Sequence, residues 1–120
     1  MQRLRDAFRY AWAGIVVTVK TQPNMRLHLV FAVFALVASA LLRLAVLEWA
    51  VIIVLIGTVL ALECLNTAVE SALDRMGVEE HPLARRAKDA AAGAVLVAAA
   101  TAACVGSVIF VHAALRMASS

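Results

Sequence analysis

Three long apolar runs, parted by short polar stretches, follow a leading segment in which apolar and basic positions interleave. In that segment Leu4, Phe8, Trp12, Ile15 and Val19 recur at helical spacing, while Arg3, Arg5, Asp6 and Arg9 fall on other faces. The period predicts an amphipathic helix over about 2–20, too polar to span, lying on a membrane surface with Tyr10 and Trp12 at headgroup level. Lys20 to Arg26 breaks the pattern, because Pro23 cannot sit inside a helix but suits the first turn of the next. The residues after it are apolar, His28 excepted, and predict a first span over about 26–46. Ala38-Ser39-Ala40 mimics a signal-peptide cleavage site, but the amphipathic segment ahead of it argues for a span instead. Trp49 is placed to anchor a second span over about 49–75 at the opposite interface, and Gly77 offers a helix stop. Pro82 opens a third helix, with a span over about 84–116 and no charged residue between Ala90 and Leu115. Its small residues Ala90, Gly93, Ala94, Ala98 and Ala102 predict close approach of another backbone.

Composition sharpens this into a class. The chain has 120 residues, 64% of them hydrophobic, and its mean hydropathy is +0.91. A soluble domain of this size would interleave its charges with apolar residues, so the expectation is an all-α integral membrane protein: three transmembrane helices plus an N-terminal surface helix, one domain over 1–120. No nucleic-acid partner is expected. Cys64 and Cys104 lie in apolar helical runs without a Cys-x-x-Cys or Cys/His cluster and read as small core residues. Arg3, Arg5, Arg9, Lys20 and Arg26 precede the first span, and Arg75, Arg85, Arg86 and Lys88 lie between the second and third. The other two exposed segments hold only Arg43 and Arg116, so the positive-inside rule places the N-terminus and the second connection in the cytoplasm.

The second span changes character partway along. From Glu63 onward it carries Glu63, Asn66, Glu70 and Asp74, which at 100° per residue fall within roughly 80° of arc on one helix face, with Thr67 beside them. An ionisable residue inside a span costs on the order of 3 kcal/mol, so two glutamates at depth demand a partner or a function. Asp74, near the membrane exit, is also compatible with a solvated surface position.

The acids on this face share one membrane boundary with Lys88, Arg85, Arg86, Arg3 and Arg9. Carboxylates and cations beside a lipid surface suit phosphoryl transfer, which needs Mg²⁺ held by one or two carboxylates and the phosphates, positive charge against the transferring group, and a base for the acceptor hydroxyl. Glu63 lies about 16 Å deeper along the helix than Asp74. Depth suits Glu63 to act as base toward a lipid hydroxyl, and leaves Glu70, nearer the cytoplasm, to hold metal and nucleotide phosphates. Neither a Gly-x-x-x-x-Gly-Lys-Ser/Thr loop nor a protein-kinase motif is present.

Glu63-Cys64-Leu65-Asn66-Thr67-Ala68-Val69-Glu70-Ser71-Ala72-Leu73-Asp74 resembles the signature of the small prokaryotic diacylglycerol kinase family: Glu, two apolar positions, Asn-Ser/Thr-Ala, an aliphatic, Glu, and Asp four further on. The resemblance extends to Arg3, Tyr10 and Gly14 in the surface helix, to Asn24-Met25-Arg26, and to the run from His81 to Val95. It implies an ATP-dependent kinase of a membrane lipid alcohol in the bacterial inner (cytoplasmic) membrane, working as a homotrimer with active sites shared between subunits. By the same resemblance Glu63 would be the catalytic base and Glu70 a ligand of Mg²⁺. Asn66, Lys88 and Asp89 would contact ATP, with Arg3, Tyr10, Glu79, Glu80 and His81 around the nucleotide, and the acceptor would lie against Glu63 and Ala92. Gln22 stands where the family's second metal carboxylate is expected, and its amide oxygen can ligate Mg²⁺ without adding charge. The His81 to Val95 run and Asn24-Met25-Arg26-Leu27-His28-Leu29 resemble the undecaprenol kinase branch more than the diacylglycerol branch.

A different class remains open at this point: a non-catalytic helical membrane assembly subunit that uses the acidic face for helix pairing. Such a subunit would tolerate Glu to Gln exchange, because an amide still hydrogen-bonds across helices. A third class, an ion carrier, would need a polar path toward Trp49, and Ala50 to Leu62 offers almost none.

Overall fold

The computed structural model describes residues 1–78 and 80–120. They form four helices: α1 Gln2–Thr21, α2 Pro23–Leu41, α3 Val46–Met76 and α4 Pro82–Ala118. Helices α2, α3 and α4 are each long and apolar enough to cross a membrane. At 1.5 Å per residue, α3 and α4 run to roughly 46 and 55 Å against a hydrocarbon core of about 30 Å, so both extend well past the bilayer's apolar layer.

Between α1 and α2 the chain bends at Gln22, whose backbone is extended, and Pro23 takes the first position of α2, where its missing N–H costs nothing. Arg26 closes the corner: its Nη1 donates to the carbonyls of Val19 and Lys20, both at 2.9 Å, and so caps the end of α1. Thr18 is buried there, while Leu4, Phe8 and Trp12 leave the apolar face of α1 exposed. That is the amphipathic surface helix expected from the sequence.

The helix carrying the first expected span occupies Pro23–Leu41 rather than 26–46. Arg43 adopts a left-handed backbone (φ 52) that ends it, and the Glu48 carboxylate accepts from the Ala45 amide at 2.8 Å to begin α3 at Val46, three residues before Trp49. The same carboxylate oxygen meets Arg116 Nη2 at 3.0 Å, tying the start of α3 to the end of α4. Beside this clasp lies the apolar core of Leu44, Ile52 and Ala113, with Trp49, Ile56 and Phe110 packed on it.

α3 and α4 form the main antiparallel pair. The buried residues of α3 are Ile52, Val59, Glu63 and Thr67, spaced seven, four and four, which is one helical seam. Those of α4 are Ala84, Val95, Gly106 and Ala113, again one face. The small residues singled out in the sequence are only partly on it: Ala98 and Ala102 are half-buried, but Ala90 and Ala94 are exposed. Counted at 100° per residue from Ala84, Ala90 lies roughly 120° and Gly93 roughly 180° off the seam, so the close approach runs through Gly106 and Ala113 instead. Cys64 is half-buried, but Cys104 is exposed on the outer side of α4 rather than in a core.

Gly77 ends α3 in the left-handed region (φ 69, ψ 31), its amide donating to Leu73 and Asp74 carbonyls. A side chain there strains the backbone, so Gly77→Ala should destabilise the chain by about 1 kcal/mol. Thermal unfolding in detergent micelles reads this directly, and an unchanged midpoint would show that the connection carries no such constraint.

Candidate functional site

The polar face of α3 continues its packing seam. Ile52 and Val59 are followed at helical spacing by Glu63, Asn66, Thr67, Glu70 and Asp74, so the surface that packs α3 turns from apolar to polar at Glu63 without changing direction. Burial falls along it: Glu63 is 2% exposed and Thr67 is buried, Asn66 and Glu70 are half-buried, and the Asp74 side chain is 60% exposed.

Glu63 is not alone at depth. His28, on the second turn of α2, brings Nε2 to 3.2 Å from Glu63 Oε1, with 18% of its side chain exposed. The sequence reading passed over His28. The available signal was a single ionisable residue inside an otherwise apolar span, which at depth requires a partner. The contact also sets a level. His28 lies about 7 Å beyond the start of α2, whereas Glu63 lies about 20 Å before the end of α3, so the last turns of α3 rise roughly 12 Å past the start of α2. Glu70 and Asp74 stand on that projecting part, and Asn66 lies just below it.

Two further observations mark this face. Thr67 Oγ1 donates to the Glu63 carbonyl at 2.9 Å, within the helix, and Asn66 Oδ1 is buried without a hydrogen-bond partner among the described residues. A buried amide oxygen left unpaired costs about 1–3 kcal/mol, which is the usual signature of a group held ready for something else. Lys88 Nζ, on α4, reaches Asp74 Oδ1 at 2.9 Å and so brings a cation to the acidic face.

The remaining expected residues are distributed around this core without being gathered into it. Arg3 and Tyr10 are exposed on α1, and among the described residues they make no ion pair or hydrogen bond. Gln22 is half-buried at the α1–α2 corner, its amide nitrogen 3.5 Å from Thr21 Oγ1. Glu80, Asp89 and Ala92 are exposed. His81 caps α4, Nδ1 accepting from the Leu83 amide at 3.1 Å. Glu79 lies outside the described residues. No group of three His, Cys, Asp or Glu that could hold a metal ion occurs among the described residues.

Below Glu63 the three apolar helices leave a cavity of about 370 Å³, walled by Phe31, Ile52, Ile56, Val59 and Phe110 and reaching His28 at one end. Its volume is within the range of small-molecule sites, ~300–1,000 Å³, and its walls are almost wholly apolar. A second apolar hollow, about 310 Å³, lies under the α3–α4 connection between Leu73, Met76, Val78, His81, Leu83 and Ala84. The arrangement is a buried carboxylate with an imidazole beside it, an apolar cavity on one side, and a half-solvated polar face with a cation on the other.

Comparison with known proteins agrees with that arrangement. Residues 9–110 match the family model of prokaryotic diacylglycerol kinase. The chain is 41% identical over 110 residues to an undecaprenol kinase of Bacillus subtilis (strain 168), covering 92% of this chain and 89% of that protein. It is 46% identical over 101 residues to a diacylglycerol kinase of Synechocystis, covering 83% of this chain but 58% of that longer protein. A diacylglycerol kinase of Escherichia coli (strain K12) is 32% identical over 96 residues, covering 80% of this chain and 79% of its own. A non-catalytic assembly subunit is therefore set aside. This multi-pass membrane chain belongs to the prokaryotic diacylglycerol kinase family, and is a lipid kinase.

Proposed function

We propose that the protein transfers the γ-phosphoryl group of ATP to undecaprenol, with diacylglycerol as the second candidate, at the cytoplasmic face of the bacterial inner membrane. The observation that carries this reading is the position of Glu63: buried on the polar face of α3, one turn beyond Val59 and 3.2 Å from His28, both of which line the apolar cavity. A long-chain alcohol laid in the cavity presents its hydroxyl at the carboxylate. Undecaprenol is preferred because the Bacillus subtilis undecaprenol kinase matches nearly the whole chain.

Glu63 takes the hydroxyl proton as the lipid oxygen bonds to the γ-phosphorus and ADP departs with the electron pair of the broken bond. Glu70 and Asn66 share one face four residues apart, and the unpartnered Asn66 oxygen supports nucleotide or metal binding there. Mg²⁺ bound by one or two carboxylates and the phosphates needs no cluster of three acids, so the half-buried Glu70 would hold it with the phosphates, and Gln22 enters as a neutral second ligand by the resemblance alone. Bound there, Mg²⁺ would supply charge to offset the phosphates. Lys88 adds a cation at the same face and Asp89 follows it on α4, while His81 lines the hollow under the α3–α4 connection; Glu79 and Glu80 are assigned to the nucleotide by the family resemblance alone. Arg3 and Tyr10, exposed and without a side-chain partner among the described residues, leave room for a site completed by a neighbouring copy, as in the homotrimer that the family resemblance implies. The N-terminus and the α3–α4 connection are assigned to the cytoplasm by their basic residues, with the chain acting as one domain over 1–120.

Transfer of labelled phosphate from ATP to each alcohol in detergent micelles tests the reading: undecaprenol should be phosphorylated faster than diacylglycerol, and failure with both would remove it. Asn66→Leu should abolish turnover yet leave the chain as stable or up to about 1–3 kcal/mol more stable, read as an unchanged or raised thermal midpoint, because it removes a buried unpaired oxygen; a cooperative loss of both would make Asn66 structural. Gln22→Glu should lower the Mg²⁺ concentration for half-maximal rate. An unchanged Mg²⁺ requirement would strike Gln22 from the ligand set.

A further inference from the structure

Glu63 acting as base raises a problem that the structure also answers. Each turnover leaves a proton on a carboxylate that is 2% exposed, on a helix otherwise apolar at that level, and the next turnover cannot start until it leaves. His28 Nε2 stands 3.2 Å from Glu63 Oε1 and is partly exposed, about 7 Å from the cytoplasmic start of α2. Other ionisable groups do not compete. On α2, Arg26 is turned to the α1 carbonyls. On α3 the neighbours are Cys64 and, two turns on, Glu70, while α4 has no charged residue between Ala90 and Leu115, its His112 lies at the far end near Glu48, and Lys20 of α1 is exposed.

We propose that His28 is the positioning and proton-exit residue for Glu63. This rests on Glu63 being the base. The neutral imidazole holds the carboxylate oxygen toward itself and leaves the other oxygen for the acceptor hydroxyl. After the lipid oxygen has bonded to phosphorus, the imidazole exchanges its Nε2 proton for one on Nδ1 through water, which turns the Nε2 lone pair to the carboxyl; the Glu63 proton then passes to Nε2, giving carboxylate and imidazolium. The imidazolium then loses one proton to water, and both groups return to their starting states. A histidine is suited to this because its charge changes near neutral pH, and a glutamine of similar reach could hold the carboxylate but could not carry the proton.

The cavity that reaches His28 supplies a test, since removal of the ring leaves room for a free imidazole. Lipid phosphorylation by the full-length protein in micelles is measured for the native chain, His28→Gln, His28→Ala and Glu63→Gln, across the neutral pH range and with added imidazole. The proposal expects His28→Gln to lower kcat on the order of tenfold or more with KM for Mg-ATP unchanged, and to lose the rise of kcat with pH near neutrality. It expects imidazole to restore turnover to His28→Ala and not to Glu63→Gln. Native kcat and pH profile in His28→Gln, or a His28→Ala protein that is slow, less stable and insensitive to imidazole, would overturn it while leaving Glu63 as base. Full turnover in Glu63→Gln would overturn both.

Discussion

A carboxylate on the packing seam of a membrane helix is the constraint around which this molecule is arranged. Isolated at that depth Glu63 would cost on the order of 3 kcal/mol; here it is enclosed by the helices and met by His28. Its direction follows from the apolar residues before it. Ile52 and Val59 hold one face of α3 inward, and Glu63, Thr67 and Glu70 inherit that face by helical period alone. A slip of one residue would turn the seam by roughly 100° and carry Glu63 toward lipid. Packing and site geometry are thus one register, set on the apolar half and used on the polar half.

The two ends of the α3–α4 pair are built for different purposes. At the far end Glu48 begins α3, pairs with Arg116 of α4, and lies beside the core of Leu44, Ile52 and Ala113, so the antiparallel register is clamped there. At the near end the contacts are polar and half-solvated: Lys88 with Asp74, Glu70 half-buried, Asn66 with an unpaired oxygen. Such groups contribute little to stability, and the unpaired oxygen opposes it. Their weak hold on the pair is tolerated because the register is fixed at the far end.

Much of this was legible in the sequence because it follows from period and polarity. The four helices, the surface character of α1, the Gly77 stop and the acidic face on α3 all follow from spacing. What was not legible depended on which helix faces which. The end of the first apolar helix at Leu41 follows from Arg43 in a left-handed conformation, which nothing in an arginine announces, and from the Glu48 carboxylate that accepts from the Ala45 amide, a contact that apolar period does not encode. The seam of α4 passes through Gly106 and Ala113 rather than Ala90 and Gly93, since small residues occur on every face of that helix. Sequence spacing gives His28 and Arg116 no partner, and only the tertiary fold supplies Glu63 and Glu48.

The central claim, that the buried acid is kept for chemistry and not for assembly, is tested most directly by measuring turnover and thermal stability together for Glu63→Gln. An amide fills the same space and relieves the burial of charge. The account predicts a thermal midpoint equal to or above the native value and lipid phosphorylation lowered by about 10²-fold or more. A variant that keeps native turnover while losing stability would contradict it and return Glu63 to a purely structural role.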